Sequence, residues 1–213
     1  LDLKTGKELG RLELPAGHIL DWAAHPKAQK TYVCINKNPP NSFAVRQYKI
    51  YLLNEAEMSV EDTGGYGMRV SVDPHGRYVY SSFNFRITMN MRQISPEPLP
   101  LEMQRGGYID HLVCFRIGGL ELQQLSERQS PGADGKALAA DPSGRLVCYA
   151  SRGGFYKDRR REFLGQKVPA FRAGNVRTTM GAFDTGKNTK LLAFDPALPK
   201  LYAYSGVKVG VYS

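Results

Sequence analysis

The residues best placed to do chemistry are basic and clustered. From Arg152 to Arg172 stand Arg152, Lys157, Arg159, Arg160, Arg161, Lys167 and Arg172, against only Asp158 and Glu162. Seven against two leaves +5, more than half of the formal +9 carried by the whole chain. Phe155 and Tyr156 lie inside the run. Guanidinium groups beside aromatic rings grip phosphates or stack on bases, and they equally suit the acidic surface of another protein. No nucleic-acid-binding motif accompanies the run. Arg152, Phe155, Tyr156, Lys157, Arg159, Arg160 and Arg161 are therefore read as a surface for an acidic protein partner, with nucleic acid disfavoured.

Other residue types offer less. The histidines are His18, His25, His75 and His111. Asp110-His111 has the composition of an acid–base pair, but no Ser or Cys stands at a spacing that would make it a triad. His25 occupies the place that Asp73, Asp141 and Asp195 hold in related stretches. A ring of such residues has metal-binding chemistry, yet each precedes a proline, where Asp caps a turn through its own backbone, and capping is the better reading. Cys34, Cys114 and Cys148 show no metal-ligand spacing, and an odd number argues against a disulfide framework. No glycine-rich phosphate loop opens a helix. The sequence thus assigns no catalytic residue, no metal and no cofactor.

The elements that must hold these residues follow from a repeat. Trp22-Ala23-Ala24-His25-Pro26, Val70-Ser71-Val72-Asp73-Pro74, Leu138-Ala139-Ala140-Asp141-Pro142 and Leu192-Ala193-Phe194-Asp195-Pro196 each end an alternating apolar run. A second run rich in Tyr and Val follows each one: Tyr32–Ile35, Tyr78–Ser81, Leu146–Tyr149 and Leu201–Tyr204. In Asp73-Pro74-His75-Gly76 and Asp141-Pro142-Ser143-Gly144 the Asp bonds its own backbone, Pro presets the second corner and Gly closes a type I turn. The residue three before each proline is small (Ala23, Ser71, Ala139, Ala193), which predicts crowding on that side of the strand.

Short strands recurring at about 50 residues point to a propeller or solenoid. The units resemble the blades of WD40-like and YVTN-type β-propellers. The Trp-Asp pair of WD40 repeats is absent and Gly-His stands only once, at Gly17-His18, so the resemblance leans to the YVTN side. It covers the chain outside residues 83–109 and 151–175. It implies an all-β fold of four-stranded antiparallel blades, whose innermost strands line a narrow channel. The expected units are 17–63, 67–129, 136–186, and 189–213 completed by 1–15. Either residues 1–15 supply the outer strand of the last blade and close a four-bladed ring, or the four units belong to a larger ring of six to eight blades.

Within the units the expected strands are His18–His25, Thr31–Asn36, Phe43–Leu53 and Glu57–Glu61 in the first. The second ends in His111–Ile117 and Leu120–Leu125, broken by Gln129-Ser130-Pro131-Gly132. The third ends in Gln166–Arg172 and Val176–Phe183. Asp184-Thr185-Gly186-Lys187 resembles the opening Thr5-Gly6-Lys7 turn, which joins third and outer strands, yet it stands directly before an inner strand, so one match is out of register. The link between second and third strands grows to Phe83–Ile109 and Ser151–Gly165. Function concentrates on long loops held by a rigid scaffold, so the face bearing these links is the expected binding face. The first link carries Met89, Met91 and Met103 with Phe83 and Phe85, and Pro96, Pro98 and Pro100 favour an extended course.

Composition fits this reading. Hydrophobic residues make up 42% and glycines number 22, as suits a turn-rich β protein. No apolar stretch reaches the roughly 20 residues of a spanning helix. No signal peptide is present, but the chain opens Leu1-Asp2-Leu3 without Met, as though cut from something longer, and compartment stays open. The expected function is a non-catalytic interaction module for an acidic protein partner. Resemblance to lactonase-like propellers implies the alternative, a hydrolase with its site at the channel mouth. A third reading is a structural segment of a larger protein, with the remaining blades as neighbours.

Overall fold

Each Asp-Pro stretch folds as its local chemistry dictates, into two antiparallel strands closed by a tight turn. The computed structural model describes residues 10–37, 48–86, 108–131, 137–150, 154–157, 160–163, 167–185, 189–205 and 208–212. The Gly76 N–H donates to the Asp73 carbonyl at 2.8 Å, and the Gly144 N–H to that of Asp141 at the same distance. Both glycines take a left-handed φ, +71° and +68°, which a side chain resists by roughly 1 kcal/mol.

The first sheet holds β1 (His18–Ala24), β2 (Lys30–Asn36), β3 (Tyr48–Asn54) and β4 (Ser59–Tyr66), paired in that order. The second holds β5 (Arg69–Val72), β6 (Tyr78–Arg86), β7 (Tyr108–Ile117) and β8 (Leu122–Pro131). The third holds β9 (Ala137–Ala140), β10 (Leu146–Ala150), β13 (Lys167–Arg172) and β14 (Asn175–Asp184). Between β10 and β13 the chain forms a separate hairpin, β11 (Gly154–Lys157) with β12 (Arg160–Phe163). The fourth sheet has three strands among the described residues, β15 (Leu191–Phe194), β16 (Leu201–Tyr204) and β17 (Val209–Tyr212). The sheets stand round an axis as the blades of a β-propeller, with β1, β5, β9 and β15 innermost.

Period-2 alternation gives each blade two apolar faces, and each face packs on a different neighbour. On β6, Val79 and Phe83 join Tyr32, Cys34, Ile50 and Leu52 of the first blade. Tyr80 points the other way, into a cluster with Val147, Tyr149 and Phe171 of the third. On β10, Cys148 and Ala150 turn toward Leu201 of the fourth. Leu201 is 1% exposed, a burial worth about 2 kcal/mol. At the small inner-strand position between β5 and β9, Ser71 Oγ accepts a hydrogen bond from the Ala140 N–H at 3.2 Å. Asp21 Oδ2 likewise accepts from the Val70 N–H at 3.0 Å, tying β1 to β5. At the fourth blade Ala193 is exposed, so the crowding is not uniform.

Several strands differ from expectation. β4 continues past Glu61 to Tyr66, because an irregularity between Lys49 and Tyr51 lets Lys49 pair with Tyr66. β6 runs on to Arg86 and pairs with β7 from Tyr108, so residues 83–86 and 108–109 belong to the sheet rather than to the long link. β8 does not stop at Gln129: it pairs through Pro131, opposite Ile109. As the outer strand of its blade it tolerates a residue without an N–H. Asp184 ends β14, so the Asp184-Thr185-Gly186-Lys187 stretch leads into the fourth blade, and this was the match out of register. Residues 1–9, and with them the closure by the chain start, lie outside the described residues.

Two sheet edges expose large apolar side chains among the described residues. Ile19 and Trp22 on β1 are 57% and 65% exposed, and Leu191, Val209 and Val211 on the fourth blade are 56–62% exposed.

Candidate functional site

The basic run is set on a hairpin rather than an irregular loop. β11 and β12 pair antiparallel, with Tyr156 opposite Arg161, Lys157 opposite Arg160 and Phe155 opposite Glu162. Five of the seven expected partner-binding residues therefore share one two-stranded unit. Arg152 and Arg159 lie outside the described residues. The hairpin departs from the end of β10 opposite the Asp141–Gly144 turn, so it belongs to the face that also carries the 87–107 link. That link, with Met89, Met91, Met103 and the three prolines, lies outside the described residues.

The Asp-Pro positions are turn caps. Asp73 Oδ2 accepts from the backbone N–H groups of His75 and Arg77 at 3.2 and 3.1 Å, and from Arg77 Nε at 3.0 Å. Its Oδ1 accepts from Arg77 Nη2 at 3.0 Å. Burial pushes the Asp73 carboxyl up, but the Arg77 guanidinium and these N–H groups outweigh it and hold the carboxyl below its usual range. His25 Nδ1 accepts from the Lys27 N–H at 3.1 Å, imitating an Asp cap. Asp195 Oδ1 accepts from the Ala197 and Leu198 N–H groups. Among the described residues no three His, Cys, Asp or Glu side chains come together as a metal site.

His111 finds its carboxylate elsewhere than in Asp110. Its Nδ1 contacts Glu127 Oε1 of β8, and its ring stacks on Phe83 at 4.4 Å between centroids. Gln124 Nε2 donates to Glu127 Oε2 at 3.2 Å, and Tyr66 of the first blade donates to Gln124 Oε1 at 3.0 Å. The contact with His111 is the main cause that holds the Glu127 carboxyl below its usual range, partly opposed by burial. The imidazole is 4% exposed, and the pair ties β7 to β8. The β7–β8 register explains why the sequence hid it. His111 stands opposite Gln129, and Glu127 is two residues further along the partner strand, within diagonal reach on the same face.

The three cysteines are fully buried and unpaired. Burial pushes the Cys114 and Cys148 thiols up to about 12, which makes them packing residues rather than nucleophiles.

No protein-family model matches the chain, and no characterised protein matches it by sequence. Solved structures do. The β-propeller domain of Cps50 (Swd1) from Myceliophteria thermophila aligns over 92% of this chain and 50% of its own, with TM-score 0.53 and 9% identity. The WD40 repeats of RRP9 align over 92% and 47%, with TM-score 0.52 and 8% identity. The Dos1 propeller aligns over 96% and 44%, with TM-score 0.57 and 14% identity. At such identities the likeness establishes the fold: this is a β-propeller of the kind that WD40 domains form. The chain spans about half the length of the solved propellers it matches.

Proposed function

We propose that this propeller is an interaction platform that engages an acidic protein partner through the β11–β12 hairpin. One observation carries the reading: a segment with five of the expected contact residues is registered as a two-stranded unit on a blade whose own strands are rigidly packed. A hairpin loses less conformational freedom on binding than an open loop of the same length, so its basic residues are partly pre-organised for a partner. The propeller fold of the neighbours agrees with a platform, since blades present loops at both ends of a fixed frame. A hydrolase needs an accessible nucleophile or metal beside a proton-transfer group. The one His–carboxylate contact among the described residues is buried beneath Phe83.

The test uses polyglutamate as a model acidic partner. Wild-type protein is expected to bind it with an affinity that falls steeply as salt rises, because exposed charges are screened over about 8 Å at physiological ionic strength. Arg159→Glu/Arg160→Glu/Arg161→Glu is expected to weaken that binding by roughly tenfold while the thermal melt stays unchanged. Affinity that is flat with salt, or retained in the triple variant, refutes the proposal.

A further inference from the structure

The opposite face carries the tight Asp-Pro turns. Two adjoining cavities of about 900 and 500 Å³ open there, sharing Tyr78, Arg172 and Ala173 in their walls. The larger adds Arg77, Arg145, Met180 and Leu198, and the smaller adds Arg116, Arg177 and Leu125. Register explains the gathering. Arg116 stands next to last in β7 opposite Tyr78, and Arg172 ends β13 opposite Leu146, so both emerge on the Asp-Pro side of their blades.

The second and third blades repeat Asp-Pro-x-Gly-Arg, as Asp73–Arg77 and Asp141–Arg145. In the second blade the arginine folds back on its own aspartate. It also reaches across to the third blade, where Nη2 donates to the Gly144 carbonyl at 2.9 Å. In the third blade Asp141 takes the Ser143 hydroxyl instead, and Arg145 is left in the cavity wall. Arg116, Arg145 and Arg172 are all exposed, and among the described residues none makes a side-chain hydrogen bond or ion pair. With Arg177 they set four guanidiniums against one carboxylate, Asp141, in the two cavity walls. Arg77 is neutralised by Asp73.

The other lining is apolar. Leu198 and Met180 are 48% and 52% exposed, and Pro142, Pro196 and Pro199 complete the larger cavity. Arg77 lies over the Tyr78 ring at 5.2 Å and the Gly174 turn closes on its hydroxyl end. That aromatic is therefore not free to stack on a nucleobase. We infer that this groove is a second docking site, for an acidic peptide segment that carries a bulky apolar residue. The carboxylates pair with Arg116, Arg145 and Arg172, and the apolar side chain rests between Leu198 and Met180. The site is separate from the hairpin and does not depend on it.

The probe is a short fluorescein-labelled peptide in which Asp and Glu alternate with Leu, followed by anisotropy against the full chain. Binding is expected to weaken with salt and to weaken again when Leu is replaced by Ser in the peptide. Arg145→Glu/Arg172→Glu is expected to lower affinity by roughly tenfold or more, whereas Lys208→Glu, an exposed charge at the end of the fourth blade away from its Asp-Pro turn, changes it by less than about threefold. If the charge reversals disturb folding, Arg145→Gln/Arg172→Gln and hydrogen-exchange protection of 141–146 and 171–180 by the peptide give the same reading. The inference is overturned if the peptide does not bind, if the turn-face variants bind it normally, or if protection falls elsewhere. It is overturned as well if an oligonucleotide of equal charge binds the same arginines as tightly.

Discussion

Replacing Asp73 by Ala removes an acceptor that serves four donors and, through Arg77, a bridge between two blades. Two of the donors are backbone N–H groups of the turn, each losing about 1 kcal/mol when its partner goes. Arg77 is half exposed, with 48% of its side chain open to solvent, so its pairing is discounted for screening to about 1 kcal/mol or less. The expected loss is about 3 kcal/mol, most of it from the turn. Asp141→Ala supplies the internal control, since among the described residues that carboxylate holds only the Ser143 hydroxyl and its removal costs about 1 kcal/mol or less. Urea denaturation followed by far-ultraviolet circular dichroism measures both. A domain of this size shifts its midpoint by about 2–4 °C per kcal/mol, so a thermal scan gives a second reading. The cycle of Asp73→Ala with Arg77→Ala is expected to show coupling of about 1 kcal/mol. Equal losses for the two aspartates, or additivity within the cycle, would refute the distinction drawn between the two turns.

Two further outcomes are expected. Gly144→Ala forces a side chain into a left-handed position, with its Cβ 2.5 Å from His75 Cδ2 and 2.8 Å from Arg77 Nη2. It destabilises by about 1–2 kcal/mol, whereas Gly118→Ala, with nothing within 4 Å, stays within about 0.5 kcal/mol of wild type. Acid weakens the fold for a stated reason: Asp73 and Glu127 have carboxyls held below their ordinary 3.8 and 4.5. Their contribution is complete above those values and is lost as pH falls through the lower folded ones. Melting temperature is therefore flat from neutral pH to about 5 and declines below about 4.5. In Glu127→Gln the decline is shallower, and an unchanged slope excludes Glu127 from the acid response.

What the sequence made legible was local. Asp73, Pro74 and Gly76 state their turn within four residues, and the alternation of Val79, Tyr80 and Phe83 states two opposed faces. What it hid depends on neighbours far along the chain. Arg77 and Arg145 stand in the same five-residue pattern, yet one pairs with its aspartate and the other does not. The difference arises because the Gly144 turn of the next blade is there to receive Arg77. The His111–Glu127 contact depends on the β7–β8 register across the irregularity at Cys114 and Phe115, which no local signal announces. The hairpin at 154–163 was obscured because arginine, frequent there, has no strong preference for strand.

A propeller is also a row of units, each coupled to the next, and its couplings need not be equal. The first three blades interlock through their turns. The His25 ring fits against Gly76, His75 Nε2 meets the Ser143 carbonyl at 3.2 Å, and Arg77 reaches Gly144. The fourth turn, Asp195-Pro196-Ala197-Leu198, has no glycine to receive a ring, and among the described residues no hydrogen bond joins it to the 141–144 turn. Blade four is held to its neighbour by apolar packing centred on Leu201. Mechanically, of the blade contacts among the described residues, the one between the third and fourth blades is expected to part first under load. Thermally, the amides of blade four exchange with solvent while the first three blades still melt as one body.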